Sequence, residues 1–264
     1  MERKLLFFDI DGTLIPAIDA PVPESTKKAL KLAQEAGHYI FINTGRPKSI
    51  VPKRLFEIGF DGYLCGCGSY AIVKDQVLLD QRFEKERCRE LFLQAKEMGI
   101  PVILEGNEHC YIDQEEMSKS PIYQTELVLM NEFPGVILDA CSCDEIEFSK
   151  FCCIVDSKEK LEEFMAPFSD YFDPLERGNC FYEVVPKGLS KATAIDTVLR
   201  YLNQSLEDCY AFGDSSNDVP MLRHAPNSIA MGNSDDEALK TATYITTPIK
   251  RDGIYLAMKH FGLF

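Results

Sequence analysis

Short runs that are apolar at every position, each followed by polar residues, dominate the hydrophobic pattern near the N-terminus. Leu5 to Phe8 is one such run, and it is followed by Asp9 to Gly12. Tyr39 to Ile42 is another, and it leads into Asn43 to Pro47. A short run without polar interruptions is typical of a strand covered on both faces. The pattern therefore predicts two strands of a parallel sheet.

Segments in which apolar residues recur at helical spacing lie between these runs and after them. Over 23–36 the apolar residues repeat every three or four positions, with a proline at the start and Gly37 after the end, which is how helices are commonly bounded. A second such repeat covers 191–202, and further buried strands are predicted at 209–212 and 228–231. This alternation predicts an α/β fold with a doubly wound, Rossmann-like parallel sheet, in which ligands bind at the carboxyl ends of the strands.

The middle of the chain has a different texture. A charged amphipathic helix is predicted over 83–98, and the strands after it alternate with acidic loops and helices, which is typical of an α+β region. We therefore expect two domains. Residues 1–82 and 183–264 form the core, and residues 83–182 form an inserted α+β cap.

Composition and charge narrow the classes of partner. The chain has 264 residues, 45% of them hydrophobic and 27% charged, which fits a globular protein rather than a disordered one. Lys and Arg number 28 against 42 Asp and Glu, so the net charge is −14. This balance disfavours nucleic acid or anionic lipid as a partner. A small solute is the expected partner.

Two further patterns bear on location and on metals such as zinc. No apolar run approaches the roughly 20 residues that cross a bilayer, and the N-terminus has no signal-peptide pattern, so we expect a cytoplasmic protein without a membrane partner. The ten cysteines lack the paired spacing of a zinc site. We expect them to be reduced and mostly buried.

Two carboxylates, Asp9 and Asp11, stand at the end of the first predicted strand. Residues two apart on a strand share one side, so the pair could hold a metal ion. An EF-hand loop starting at Asp9 would need an acidic residue or Asn at its fifth position and Glu at its twelfth, where the chain has Thr13 and Ala20. A plain Asp-Gly turn is the alternative for this motif alone.

A second acidic strand end comes much later in the chain, at 213–218, where Asp214, Asn217 and Asp218 are found. Alone, it could be a helix N-terminus, since Asp, Ser and Asn are common capping residues. Because parallel strand ends meet at one edge of a sheet, these acids can converge with Asp9 and Asp11. Oxygen ligands of this kind favour Mg²⁺.

An anion site is predicted at the same edge. Thr44, Gly45 and Arg46 offer a hydroxyl and backbone N–H groups after the second strand, and Lys191 adds a point charge near the start of a predicted helix. Each feature alone is typical of a turn or an exposed surface. Their shared position at strand and helix ends is what indicates an anion.

In chain order, these motifs resemble those of the haloacid dehalogenase superfamily of aspartyl phosphatases, and within it the Cof-like sugar-phosphate phosphatases with a large α/β cap, class IIB. The matching stretches are Asp9 to Leu14, Thr44 to Arg46, Pro186 to Lys191 and Gly213 to Asp218. Four motifs in order are a specific signal, whereas any one of them is weak. No motif transfers within 83–182, so the resemblance does not identify the substrate.

The resemblance implies a mechanism and a cofactor. Asp9 would attack the phosphorus of a phosphate monoester to form an aspartyl-phosphate, while Asp11 would protonate the leaving alcohol and later deprotonate water. Mg²⁺ would be held by Asp9, the backbone carbonyl of Asp11 and Asp214, and Lys191 would supply further positive charge. We also expect the surroundings of Asp11 to raise its pKa.

The remaining motif residues receive supporting roles from the same resemblance. The residues expected to bind phosphate are Thr44, Gly45, Arg46, Lys191 and Asn217. Thr13 and Asp218 are expected just behind the catalytic groups, with Asp218 orienting Lys191 or a metal-bound water. One stretch departs from the family pattern, because Cys67-Gly68-Ser69 stands where this branch usually has Asn-Gly-Ala. That departure concerns the substrate pocket rather than the nucleophile.

The implied function is Mg²⁺-dependent hydrolysis of small phosphate monoesters such as sugar phosphates, nucleotides, flavin mononucleotide or pyridoxal phosphate, by a monomer or homodimer. A phosphomutase and a catalytically silent sugar-phosphate sensor are the alternatives. A phospho-receiver also uses an acidic cluster, Mg²⁺ and a lysine, but it resembles a single domain of about half this length with its acceptor Asp on a middle strand.

Overall fold

The computed structural model of the chain describes residues 2–264, apart from the side chains of residues 123, 125 and 126. The strands are β1 (Leu5–Phe8), β2 (Tyr39–Asn43), β3 (Gly62–Cys65), β4 (Tyr70–Val73), β5 (Gln76–Asp80), β6 (Val102–Glu105), β7 (Cys110–Ile112), β8 (Ile137–Asp139), β9 (Lys150–Ile154), β10 (Phe172–Glu176), β11 (Phe181–Pro186), β12 (Cys209–Gly213), β13 (Asn227–Ala230) and β14 (Tyr244–Ile245). The α-helices are α1 (Glu24–Glu35), α2 (Lys53–Phe56), α3 (Lys85–Glu97), α4 (Gln114–Ser118), α5 (Tyr123–Glu132), α6 (Lys158–Met165), α7 (Lys191–Leu202), α8 (Val219–His224), α9 (Asp236–Thr241) and α10 (Gly253–His260).

The chain forms two compact units. The first contains the residues up to Gly45, then Val51–Asp80 and Ser190–Phe264. The second contains Arg46–Ile50 and Gln81–Leu189. Within residues 2–264, none of the helices combines the length and the apolar character needed to cross a membrane.

An eight-stranded sheet organises the first unit, in the order β14-β13-β12-β1-β2-β3-β4-β5. The strands from β14 to β3 are parallel, and the last two pairs, β3 with β4 and β4 with β5, are antiparallel. Phe8 of β1 pairs with Ile42 on one side and with Phe212 on the other, so β1 and its neighbours end level with one another. Polar residues that follow these strands are thereby placed along one edge.

Helices cover both faces of this sheet. Leu6 and Phe8 pack in one hydrophobic cluster with α1 and α10, whereas Leu5 and Phe7 pack in another with α7 and α8. Because successive side chains of a strand point to opposite faces, a strand covered on both sides must be apolar at every position. This is why the unbroken apolar run of β1 predicts the doubly wound arrangement.

The second unit has a six-stranded sheet in the order β10-β11-β9-β6-β7-β8. Its pairs are antiparallel except β7 with β8. One face packs against α3 and α6 through a cluster that includes Phe92, Phe151 and Phe164. Helices on one face of a largely antiparallel sheet make this unit α+β.

Candidate active site

The predicted site residues of the first unit come together where parallel strands end. Asp9 follows β1, Thr44 follows β2 and Asp214 follows β12. The amide of Asp9 donates to the carbonyl of Phe212 at 2.9 Å, which continues the β1–β12 ladder and fixes Asp9 beside the start of the Asp214 loop. The parallel register thus brings together residues that are some 200 positions apart in the chain.

Lys191 is the first residue of α7, and its ammonium lies at the centre of the site. Its Nζ donates to Asp9 Oδ1 at 2.7 Å, to Asp218 Oδ1 at 2.6 Å and to Asn217 Oδ1 at 3.3 Å. The side chain is fully buried. Burial works against its charge, but Asp218 and Asp9 outweigh this and raise the pKa of Lys191. It is therefore a fixed positive charge next to Asp9.

Carboxylates outnumber this ammonium. Asp9, Asp214 and Asp218 each present a ligand atom within 4.8 Å of the others. Burial, followed by the charge of Asp218, raises the pKa of Asp9 well above its usual value. The same two causes raise the pKa of Asp214 to about 7. Three carboxylates against one ammonium leave the site with excess negative charge.

A tight loop after β1 surrounds Asp214. Gly12 has a φ of +78°, and a Cβ atom built on it would lie 2.1 Å from Asp214 Oδ2, so this position requires glycine. Thr13 donates its hydroxyl to Asp214 Oδ1 at 2.9 Å. Asn233 donates to the carbonyl of Gly12 at 2.9 Å. The loop therefore holds Asp214 Oδ1 by a hydrogen bond and packs the Gly12 backbone against Asp214 Oδ2.

Asp218 acts on the loop as well as on Lys191. Its Oδ2 accepts from the amides of Asp214 and Ser215, at 2.8 Å and 3.0 Å. One carboxylate thus holds the Asp214 backbone with one oxygen and Lys191 with the other. The structure thus places Asp218 in contact with Lys191, and its role in catalysis stays a prediction.

The donor set fits a hard divalent cation. The three clustered carboxylates offer oxygen atoms, which Mg²⁺ prefers. Buried like charges are costly unless they are offset, and the raised pKa values of Asp9 and Asp214 report this cost. The excess negative charge is thus of the sign and size that one divalent ion would neutralise.

Asp11 differs from Asp9 in burial. Asp11 is exposed, whereas Asp9 is only 3% exposed. Burial raises the pKa of Asp9 and of Asp214. The third carboxylate in the cluster with Asp9 and Asp214 is Asp218, and not Asp11. The metal ligand predicted from Asp11 was its backbone carbonyl, which does not require its side chain to join the cluster.

The residues predicted to bind phosphate divide between the two units. Thr44 and Gly45 are buried at the end of β2, and the amide of Thr44 donates to the carbonyl of Leu64 at 2.8 Å. Arg46 belongs to the second unit, where it donates to the carbonyl of Ile50 at 3.1 Å. Thr44, Gly45, Asn217 and Lys191 therefore share the first unit, and Arg46 does not.

Some residues around the site carried no prediction. Asn43 is a fully buried amide immediately before Thr44. Asn233 binds the Gly12 carbonyl and also accepts from the amide of Ile249 at 2.8 Å. Cys67, which belongs to the stretch that departs from the family pattern, has a left-handed backbone with φ of +53°, and its amide donates to the carbonyl of Thr44 at 3.1 Å. The sequence feature that could have singled out Asn43 is its position as a polar residue at the end of an otherwise apolar strand.

A doubly wound sheet with clustered carboxylates and a buried lysine at its carboxyl edge defines an α/β enzyme with a polar active site. Comparison with known families makes this specific: the model of the haloacid dehalogenase-like hydrolases matches residues 6–258. The chain belongs to this family. The family and the enzyme class predicted from the sequence, a phosphatase, are thereby confirmed.

Individual relatives agree with this assignment. The chain is 31% identical over 266 residues to "Putative phosphatase YkrA" of Bacillus subtilis (strain 168), covering 100% of this chain and 99% of that protein. It is 26% identical to 5-amino-6-(5-phospho-D-ribitylamino)uracil phosphatase YcsE of the same organism, covering 100% and 97%. Among solved structures, the HAD subclass IIB sugar phosphatase BT4131 matches with a TM-score of 0.80 and 30% identity, covering 99% of this chain and 100% of that one. The predicted fold class, including an α+β cap of this subclass, is confirmed.

Proposed function

We propose that this phosphatase is Mg²⁺-dependent and hydrolyses small phosphate monoesters through an aspartyl-phosphate on Asp9. The observation that carries the proposal is the environment of Asp9: a buried carboxylate, 2.7 Å from the Lys191 ammonium and clustered with two further carboxylates. A nucleophilic carboxylate must be ionised, but burial and Asp218 favour the protonated form. Lys191 alone leaves this charge unbalanced, so a cation is needed.

Mg²⁺ would be held by Asp9, Asp214 and the backbone carbonyl of Asp11. When bound, it would supply two positive charges that offset the carboxylates and the incoming phosphoryl group. Thr13 and the Gly12 backbone keep Asp214 in place, and Asp218 keeps Lys191 in place. The positions that would hold the ion are therefore fixed by the fold before it binds.

In the first step, a carboxylate oxygen of Asp9 attacks phosphorus, the bond from phosphorus to the ester oxygen breaks, and Asp11 gives its proton to the leaving alcohol. In the second step, Asp11 takes a proton from water, which attacks phosphorus and releases inorganic phosphate and Asp9. The exposure of Asp11 suits this exchange with alcohol and water, whereas the burial of Asp9 suits a nucleophile shielded from water. Thr44, Gly45, Asn217 and Lys191 are the candidates to bind the phosphoryl oxygens.

The leaving group is proposed to be a sugar or another polyhydroxy alcohol. The sugar phosphatase BT4131 and the ribitylamino-uracil phosphatase YcsE, which are similar over nearly the whole chain, support this class. We assign the choice among leaving groups to the α+β unit, because the catalytic residues proposed here, Asp9, Asp11 and Lys191, all belong to the first unit.

The test is release of inorganic phosphate from a panel of sugar phosphates, nucleotides, flavin mononucleotide and pyridoxal phosphate, with and without Mg²⁺. We expect Mg²⁺-dependent release that falls at least about 1,000-fold in Asp9→Asn, because the nucleophile is lost. Asp75→Asn, which makes the same change on an exposed turn, should match the parent.

Phosphate release by Asp9→Asn at the rate of the parent would overturn the assignment of Asp9. Release that does not change when Mg²⁺ is removed by chelation would overturn the cofactor. Transfer of the phosphoryl group to a second sugar hydroxyl, with little free phosphate, would instead show a phosphomutase.

A further inference from the structure

Asn43 interrupts an apolar pattern at the edge of the site. It is the last residue of β2, whose other positions are Tyr39, Ile40, Phe41 and Ile42. By strand alternation, Asn43 faces the same side of the sheet as Phe41, which packs in the cluster formed with α7 and α8. An apolar residue would be the ordinary choice at this position, so the amide requires an explanation.

The side chain of Asn43 contacts the backbone of Lys191. Its Nδ2 donates to the Lys191 carbonyl at 2.8 Å and lies 3.5 Å from Met221 Sδ. Asn43 is 0% exposed, and its Oδ1 has no hydrogen-bond partner among the described residues. Burying an amide with an unsatisfied oxygen is unfavourable for stability. What the Asn43 side chain provides in return is one hydrogen bond to the Lys191 carbonyl.

The Lys191 backbone is where a small displacement matters most. Lys191 begins α7, and its ammonium reaches Asp9 and Asp218 at 2.7 Å and 2.6 Å. The capping box of Ser190 and Thr193 fixes the helix start, but its hydrogen bonds join these two residues to each other and not to Lys191. The Asn43 amide bonds Lys191 itself and joins it to β2, the strand that leads into Thr44.

We propose that Asn43 is a positioning residue for Lys191: its amide fixes the start of α7 against the end of β2, so that the Lys191 ammonium stays aligned with Asp9. This inference rests on the proposed function only for the effect on rate, since the position of Lys191 can be measured by itself. A loss of alignment of about 1 Å can cost up to about 100-fold in rate.

Asn43→Asp is the direct test, because it keeps the shape of the side chain and replaces the donor group with an acceptor. Asn43→Ala removes both groups. We expect each variant to lower kcat on the best sugar phosphate by about 10- to 100-fold. KM should change by less than about threefold, since Thr44, Gly45 and Asn217, the other candidates to bind the phosphoryl oxygens, are unaltered. In a crystal structure of either variant, the separation of Lys191 Nζ from Asp9 Oδ1 should exceed the 2.7 Å of the parent.

Ser228→Ala is the matched control. Ser228 is also fully buried on a strand of the same sheet, and it bonds Thr243 rather than any residue of the site. It should lower the midpoint of thermal unfolding as the Asn43 variants do, but leave kcat unchanged. A purely structural role for Asn43 predicts the same behaviour for all three variants.

The proposal is overturned if Asn43→Asp and Asn43→Ala are folded and keep the kcat of the parent, or if Lys191 stays in place in their crystal structures. Should one variant not fold, the other carries the test. If the parent itself releases no phosphate, the proposed function fails, whereas the crystallographic displacement of Lys191 still tests the role of Asn43.

Discussion

Each unit of the molecule buries a group of charges, and the two groups are balanced differently. At the strand ends of the first unit, Asp9, Asp214 and Asp218 face one ammonium, that of Lys191. In the second unit, a four-residue cluster, here called the cap charge cluster, joins two carboxylates to two cations. Its members are Glu105, Glu183, Lys150 and Arg177.

Ion pairs connect the four members of the cap charge cluster to one another, and the charge of Arg46 also acts on Glu105. Lys150, which is 2% exposed, contacts Glu105 and also Glu183, the latter at 3.1 Å. Arg177 pairs with Glu183 at 2.7 Å. Glu105, Lys150 and Glu183 lie on three adjacent strands, β6, β9 and β11, so the cluster links the middle of the second sheet.

The difference separates a structural role from a binding role. A buried cluster in which each carboxylate has a cationic partner needs no further ion, and its loss should lower stability. A cluster with excess negative charge needs a bound cation to neutralise it, and its loss should lower activity. Burial of charge alone therefore does not identify the site; the imbalance does.

Gly12→Ala should break the unbalanced site with the largest effect. The added Cβ would lie 2.1 Å from Asp214 Oδ2 and must displace it. We expect at least about a 100-fold loss of kcat/KM, because a displaced catalytic group is poorly aligned. The measurement is phosphate release at saturating Mg²⁺.

Gly59→Ala is the control for Gly12→Ala. Gly59 has nearly the same φ, +77° against +78°, but among the described residues no atom beyond Gly59 and its chain neighbours lies within 4 Å of its added Cβ. Both variants bear the strain of a left-handed residue, about 1 kcal/mol. Equal activity loss in the two would show that backbone strain, not the clash with Asp214, is responsible.

Lys150→Met should break the balanced cluster and give the opposite result. Lys150 is the ion-pair partner of both Glu105 and Glu183. Removing one partner of a buried ion pair typically costs about 3 to 5 kcal/mol in the free energy of unfolding. Catalytic residues are untouched, so hydrolysis of acetyl phosphate, which offers little leaving group to recognise, should stay within about threefold of the parent. Urea unfolding and the phosphatase assay measure the two quantities.

Lys158→Met makes the same change at an exposed position and should alter neither stability nor activity. If Lys150→Met abolished hydrolysis of acetyl phosphate while remaining folded, the cap charge cluster would belong to the catalytic machinery. The contrast between the two clusters would then fail.

The sequence predicts the two clusters unequally. Asp9 and Asp214 were predictable because each follows an apolar run, and parallel strands bring their carboxyl ends to one edge. The cap charge cluster was not predicted, because Lys150 meets Glu105 only through the pairing of β6 with β9, 45 residues apart. No local pattern records which strands become neighbours.

The same reasoning explains Arg46 and Asn43. Arg46 follows Thr44 and Gly45, so the sequence groups it with them, but the chain passes from one unit to the other between Gly45 and Arg46. Asn43 reads as the polar end of a strand, and its bond to Lys191 joins positions 148 apart. In both cases the tertiary contact, and not the local pattern, decides which group the side chain serves.

Mg²⁺ should stabilise the folded chain, a smaller effect than the loss of Lys150. A ligand present at about 100 times its Kd stabilises the state it binds by about 2.7 kcal/mol. We expect the thermal midpoint to rise with Mg²⁺ in the parent and in Lys150→Met, because the second cluster takes no part in binding the ion. In Asp214→Asn the rise should largely disappear. An equal rise in Asp214→Asn would place the ion elsewhere.

The smallest expected effect is that of His38 on the pH dependence of stability. His38 is a buried group that belongs to neither of the two charge clusters. It is 4% exposed, and its Nδ1 accepts from the amide of Lys4 at 3.1 Å. Burial, followed by the charge of Lys4, lowers the pKa of His38 below 6.5. The folded chain therefore binds fewer protons at this site than the unfolded chain. Its contribution to stability is fully present above pH 6.5 and is lost as the pH falls through the lowered pKa.

Urea unfolding at pH 7.5 and 5.5 measures this contribution. The parent should lose more free energy of unfolding between the two pH values than His38→Gln does, because glutamine has no proton to gain. His109→Gln, at a half-exposed position, should behave like the parent. An equal loss in the parent and in His38→Gln would mean that the imidazole is not held neutral by the fold, and that the acidic groups shared by both proteins account for the whole pH dependence.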